Sequence, residues 1–135
     1  MEITERTHNS VTYLAAEGFG AGVRHGFSTR LGGVSEGMWA SLNLGVSRGD
    51  DPDHVRENYR RFFAAIGVEG GRLAMTNQIH GGAVRTVTTA DLKADPYDKV
   101  TYEADGLMTD LPGVALVIYS ADCIPILFYD PERRV

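Results

Sequence analysis

The segment "PDHVRENYRRFFAAIG" is the clearest helix in the sequence and the feature that most limits the fold. Its Val55, Tyr59, Phe62, Phe63 and Ile66 fall at i, i+4, i+7, i+8 and i+11, which makes one apolar stripe. Asp51 is placed to cap the helix, Pro52 suits its first position and Gly67 suits its exit. A helix apolar along one side packs that side against other elements, so this one is read as structural and not as a carrier of chemistry.

The rest of the chain reads as short strands punctuated by glycine. From Val11 to Val23 the pattern suggests a strand and a turn at "EGFGAG", with a second strand running into "VRHGFSTR". "RLAMTNQIH" and "AVRTVTT" are further strand candidates, and Gly81 and Gly82 between them predict a tight connection directly after His80. "DLKADPYDKVTYEADGLMTDLPG" is polar and turn-rich and is expected to be surface loop. "VALVIYS" and "IPILFYD" read as buried strands on either side of Asp122 and Cys123. In "FYDPERRV" a strand is followed by a turn and the start of another strand, so the chain stops where an element begins.

Composition removes several classes of function. The 135 residues are 43% hydrophobic with a formal net charge of −5, so the chain can bury a core but has no basic footprint for nucleic acid or an anionic membrane. The start, "MEITERTHNS", lacks the features of a signal peptide, and a cytoplasmic location is expected. The single cysteine cannot form an internal disulfide. Cys123 is therefore a buried hydrophobe, a nucleophile or a metal ligand.

Three segments set reactive side chains beside glycine. In "HGFSTRLGGVSEG", backbone amides freed by Gly32 and Gly33, hydroxyls such as Ser28 and Ser35, and the Arg30 guanidinium could hold an anion, although a polar hairpin turn has the same composition. In "NQIHGG", His80 at a strand end can be presented into a cleft with Gln78 on the same side; the bland alternative is a structural hydrogen-bonder. In "SADC", Cys123 supplies a thiol beside Asp122. A thiolate and an imidazole are good zinc ligands, but two ligands do not complete a site.

Together, "HGFSTRLGGVSEGMWASLNLG", "NQIHG", "EADGLMT" and "SADCIPILFYDP" resemble the signature blocks of the laccase-domain, or polyphenol-oxidase, family of zinc-dependent purine nucleoside phosphorylases. The resemblance runs from His25 to Pro131. It implies phosphorolysis of adenosine, inosine and methylthioadenosine, with adenosine deamination as a second activity. It makes His80 and Cys123 metal ligands and catalytic residues, and it places the third ligand in a downstream "HAGWRG" block absent from these residues. Residues 1–135 are then expected to be the N-terminal part of a single such domain. The expected fold is α+β, with mixed β-sheets in a layered α/β sandwich truncated on its C-terminal side. Ser28 and Arg30 are the candidates for phosphate, and Gln78 and Asp122 for substrate.

Zinc is the expected cofactor. A full set of blue and clustered copper centres would need more imidazoles than His8, His25, His54 and His80 provide, although copper at a cysteine and histidine site could still give weak polyphenol oxidase activity. Two other readings stay open: a hydrolase with Cys123 as nucleophile and His80 as base, and an inactive fragment that pairs with a partner through an exposed strand edge.

Overall fold

The computed structural model describes residues 2–68 and 70–135. In chain order its elements are β1 (Ile3–His8), β2 (Val11–Ala16), β3 (Phe27–Ser28), α1 (Pro52–Ile66), β4 (Arg72–Ala74), β5 (Val84–Thr86), β6 (Gly106–Met108) and β7 (Val114–Leu116), with 3-10 turns at Gly37–Trp39 and Thr89–Asp91. Among the described residues this is a mixed α/β arrangement with small sheets and one α-helix. It divides into two compact units, Met1–Glu69 and Gly70–Val135.

In the first unit β1 and β2 form an antiparallel hairpin, from Ile3 opposite Ala16 to His8 opposite Val11. Asn9 and Ser10 turn it with positive φ at both positions, the geometry that matches the twist of paired strands. β3 adds to the far edge of β2, with Tyr13 opposite Ser28. The sequence reading omitted β1 because nearly all of its side chains face solvent, so it shows no apolar alternation.

The helix forms where expected and is closed as expected. The Asp51 carboxylate accepts the Asp53 N–H at 2.8 Å, and Gly67 leaves the helix in the left-handed region at φ 76°. Its stripe supplies Phe62 and Ala65 to a core with Val11, Tyr13, Ala15 and Leu42, against which Phe63 and Ile66 pack. Tyr13 and Phe62 meet edge to face, their ring centroids 6.5 Å apart. Burying one side chain such as Phe62 stabilises the unit by about 1.5–3 kcal/mol.

In the second unit both strand pairs are parallel. β4 lies beside β7, with Arg72 opposite Val114 and Ala74 opposite Leu116, and β5 lies beside β6. The expected tight connection at Gly81 and Gly82 does not fold β5 back onto β4. The edge of β4 away from β7 is occupied by Lys93, bonded to Leu73 through both backbone groups, and Ala83 accepts the amides of Asp105 and Gly106 instead. Part of the predicted surface loop is therefore structured, since it contributes a 3-10 turn and β6.

The two runs around Cys123 also differ from expectation. Only Val114–Leu116 is strand, and 121–128 is exposed throughout, with Ile124 and Phe128 each 87% and Ile126 69% accessible. An apolar run is buried only when a neighbour covers it. Among the described residues the backbone-to-backbone ladder beyond β7 ends with the Val117 amide bonded to the Ala74 carbonyl. At the end of the chain, Asp130 and Val135 bond to each other through both backbone groups. No described helix is long and apolar enough to cross a membrane.

Candidate functional site

Parallel pairing makes β4 and β7 leave their sheet at the same end. The chain after β4 runs through Asn77 and Gln78 to His80, and the chain after β7 runs through Tyr119 to Cys123. Gln78 joins these exits. Its Oε1 accepts the Tyr119 N–H at 2.8 Å and its Nε2 donates to the Tyr119 carbonyl at 2.9 Å. The side-chain amide therefore continues the ladder as a backbone peptide would. On the other side, the 75–77 stretch is tied to 102–104: Tyr102 Oη donates to the Met75 carbonyl, Thr76 Oγ1 to the Ala104 carbonyl, and Ala104 N–H to the Asn77 carbonyl.

His80 is exposed and sits at φ 60°, a left-handed conformation uncommon for a residue with a side chain. The bend is gripped by Asp105. Its Oδ1 accepts the His80 amide at 2.9 Å, and its Oδ2 accepts those of Gly81 at 2.8 Å and Ile79 at 3.2 Å. The Gly81 amide foremost, then those of Ile79 and His80, hold the Asp105 carboxyl below the usual carboxylate range even though desolvation works in the other direction. Sequence reasoning gave Asp105 no role. The available signal was its place in "EADG", between a buried alanine and a glycine that opens β6.

Cys123 is a free, exposed thiol, and Asp122 beside it is exposed as well. The Ser120 hydroxyl donates to the Cys123 carbonyl, which curls 120–123 into a local turn. A hollow of about 380 Å³ lies at the opposite end of the same strands, lined by Arg72, Thr89, Leu92, Leu111 and Val114. The donors are thus on the open carboxyl ends of the strands and not in that hollow.

The glycine loop of the first unit is a self-contained network. Gly32 and Gly33 both donate their amides to Ser41 Oγ at 3.2 Å, so these amides are not free for an anion as the sequence reading supposed. Gly33 is there for close approach, since a Cβ would stand 2.0 Å from the Ser41 carbonyl oxygen. Ser35 is buried and donates to Asp50, and the wholly buried Asn58 accepts from the Val34 amide while donating to Ser35 Oγ and the Asn43 carbonyl. Although burial opposes its charge, the Asp50 carboxyl is held below its ordinary range by Asn43, Ser35 and the Asp51 amide. Arg30 is exposed but pinned, with Nε and Nη2 both donating to the Ala40 carbonyl at 3.0 and 2.5 Å. Ser28 is exposed on β3.

Among the described residues no three or more His, Cys, Asp or Glu cluster closely enough to hold a metal ion. His25 is already engaged: its Nε2 accepts the Ala16 amide at 2.9 Å and its ring lies against Phe19.

Residues 24–135 match the family described as multi-copper polyphenol oxidoreductase laccase. The chain belongs to this family. Among similar proteins, a purine nucleoside phosphorylase of Deinococcus radiodurans is 44% identical over 113 residues, which cover 84% of this chain and 41% of that one. Purine nucleoside phosphorylase YfiH of Escherichia coli is 42% identical over 101 residues, covering 75% and 38%. The crystal structure of YlmD from Geobacillus stearothermophilus superposes with a TM-score of 0.71 at 36% identity, over 87% of this chain and 44% of that one. That of Bacillus licheniformis YfiH gives 0.72 at 28% identity, over 95% and 48%. The chain thus spans less than half the length of these family members.

Proposed function

We propose that this chain supplies part of the active site of a metal-dependent purine nucleoside phosphorylase acting on adenosine, inosine and methylthioadenosine, with adenosine deamination as a second activity. The observation that carries the reading is the joining of the two donor-bearing exits, His80 after β4 and Cys123 after β7, by Gln78 and Tyr119 at one end of a parallel pair. The names of the relatives support the reaction class.

Zinc fits the chemistry of the donor set, one imidazole and one thiol on exposed bends, while the described residues offer a partial set of ligands. When bound, the ion supplies Lewis acidity at the open end of the sheet. His80 and Cys123 would hold it. Within the second unit Asp122, next to Cys123, would contact the nucleoside; within the first unit Arg30 and Ser28 are the candidates for phosphate. In phosphorolysis a phosphate oxygen forms a bond to the sugar carbon as the bond to the base breaks and the base leaves with the bonding electrons, so the reaction needs an anion site for phosphate and stabilisation of the sugar carbon as it becomes cationic.

The test uses the whole protein. Wild type is expected to convert inosine and phosphate to hypoxanthine with bound zinc, and His80→Ala and Cys123→Ala are expected to lose both zinc and at least about 100-fold in kcat/KM. Bound copper with oxidation of phenols, or hydrolysis that needs Cys123 but no metal, would replace this reading by one of its competitors.

A further inference from the structure

His80 is useful as a ligand only if its bend is fixed, and Cys123 only if the exit of β7 is fixed. Neither comes from secondary structure, because β4 ends at Ala74 and β7 at Leu116. Two side chains do this instead. Three successive amides, of Ile79, His80 and Gly81, converge on the Asp105 carboxylate, a concave arrangement of N–H groups that suits one anion. The carboxylate occupies this concavity and keeps His80 in its left-handed conformation. Asp105 is itself anchored, since its own amide donates to the Ala83 carbonyl at 3.0 Å on the far side of the bend. Gln78, two residues before His80, uses both atoms of its amide on the backbone of Tyr119.

We propose that Asp105 and Gln78 are positioning residues: Asp105 sets the bend that presents His80, and Gln78 sets the exit that presents Cys123, so the two donors are held by one framework before any ion arrives. This rests on the reading of His80 and Cys123 as ligands, and it moves Gln78 from substrate contact to support. Outer partners of metal ligands commonly change affinity when altered without touching the ion.

The experiment measures zinc affinity of the whole protein by competition with a chromophoric chelator, and the thiolate-to-metal absorption band after cobalt substitution. Asp105→Asn replaces one accepting oxygen by an N–H₂ that opposes the backbone donors, and Gln78→Glu removes the donor to the Tyr119 carbonyl. Each is expected to weaken zinc binding about 10- to 100-fold and to shift or weaken the cobalt band. Asp105→Glu, which keeps both oxygens, is expected to recover part of the loss. Zinc affinity within twofold of wild type and an unchanged cobalt band in both Asp105→Asn and Gln78→Glu would overturn the proposal. His80→Ala and Cys123→Ala that bind zinc like wild type would overturn the underlying ligand reading instead. Should a variant fail to fold, amide exchange in metal-free wild type decides: protection at residues 79–81 and 119 supports the two grips, and free exchange there refutes them.

Discussion

Asn58 shows what a single residue contributes when a polar side chain is wholly buried. It lies on the helix yet satisfies three groups from two other segments, the Val34 amide, Ser35 Oγ and the Asn43 carbonyl. Removing it takes the partner from the Val34 amide and the Asn43 carbonyl, while Ser35 keeps its bond to Asp50, and an unpaired buried group costs about 1–3 kcal/mol. Asn58→Ala is therefore expected to lower the unfolding free energy by on the order of 3 kcal/mol, read as a shifted urea midpoint; a loss below about 1 kcal/mol would mean that the loop rearranges around water. Little of this was legible in the sequence. The apolar stripe identifies the residues that touch the core, but an asparagine between them reads as solvent-facing until its partners, from fifteen to twenty-four residues away, are in place. The same holds for Asp105, whose partners lie twenty-four to twenty-six residues earlier. The exposed bend at His80 was legible in the two glycines that follow it, whereas the ligand roles of His80 and Cys123 come from the family resemblance and belong to the proposal.

At the scale of elements, α1 was the most legible because its period, its cap and its exit are all local signals. The strands were less so. β1 is polar, and β7 is shorter than the apolar run that contains it, since strand length is set by the partner as much as by composition. The helix also carries a pH-sensitive feature. Glu57 accepts from Arg60 at 2.7 Å and from Arg61 at 2.8 Å, and these guanidinium groups, Arg60 first, lower its pKa to about 2. A carboxyl depressed in the folded state stabilises the fold at pH above its unfolded value, near 4.5, and this contribution disappears as pH falls towards about 2. Glu57→Gln should thus flatten the part of the stability profile between pH 4.5 and 2 and change little below it. Because the pair is partly exposed, added salt should shrink the difference. An identical pH profile in the two proteins would show that the ion pairs contribute nothing to stability.

For the molecule as a whole, the dominant feature is the uncovered apolar stretch after β7, where Ile124 and Phe128 stand 87% exposed. Residues 1–135 produced by themselves are expected to self-associate through it, as scattered exposed leucines would not make them do. Light scattering coupled to gel filtration should show mass increasing with concentration. Ile124→Lys with Phe128→Lys should return the chain to a monomer; a monomeric wild type at high concentration would refute this.

The parallel register of β4 and β7 also has a kinetic consequence. Arg72 meets Val114 only after some forty intervening residues have been looped out, whereas His8 meets Val11 across a two-residue turn. Long closures cost more chain entropy before any contact repays them, and strands that depend on them form late. The hairpin and helix of the first unit can therefore fold while the chain is still being synthesised, but the exits that carry His80 and Cys123 are not joined until the long loop has closed. On the proposed reading, metal capture would wait for this closure. Pulse-labelled amide exchange should accordingly find the Val117 amide protected after that of Val55, which bonds to the Asp51 carbonyl in the first turn of the helix, and the reverse order would show that the distant strands come together first.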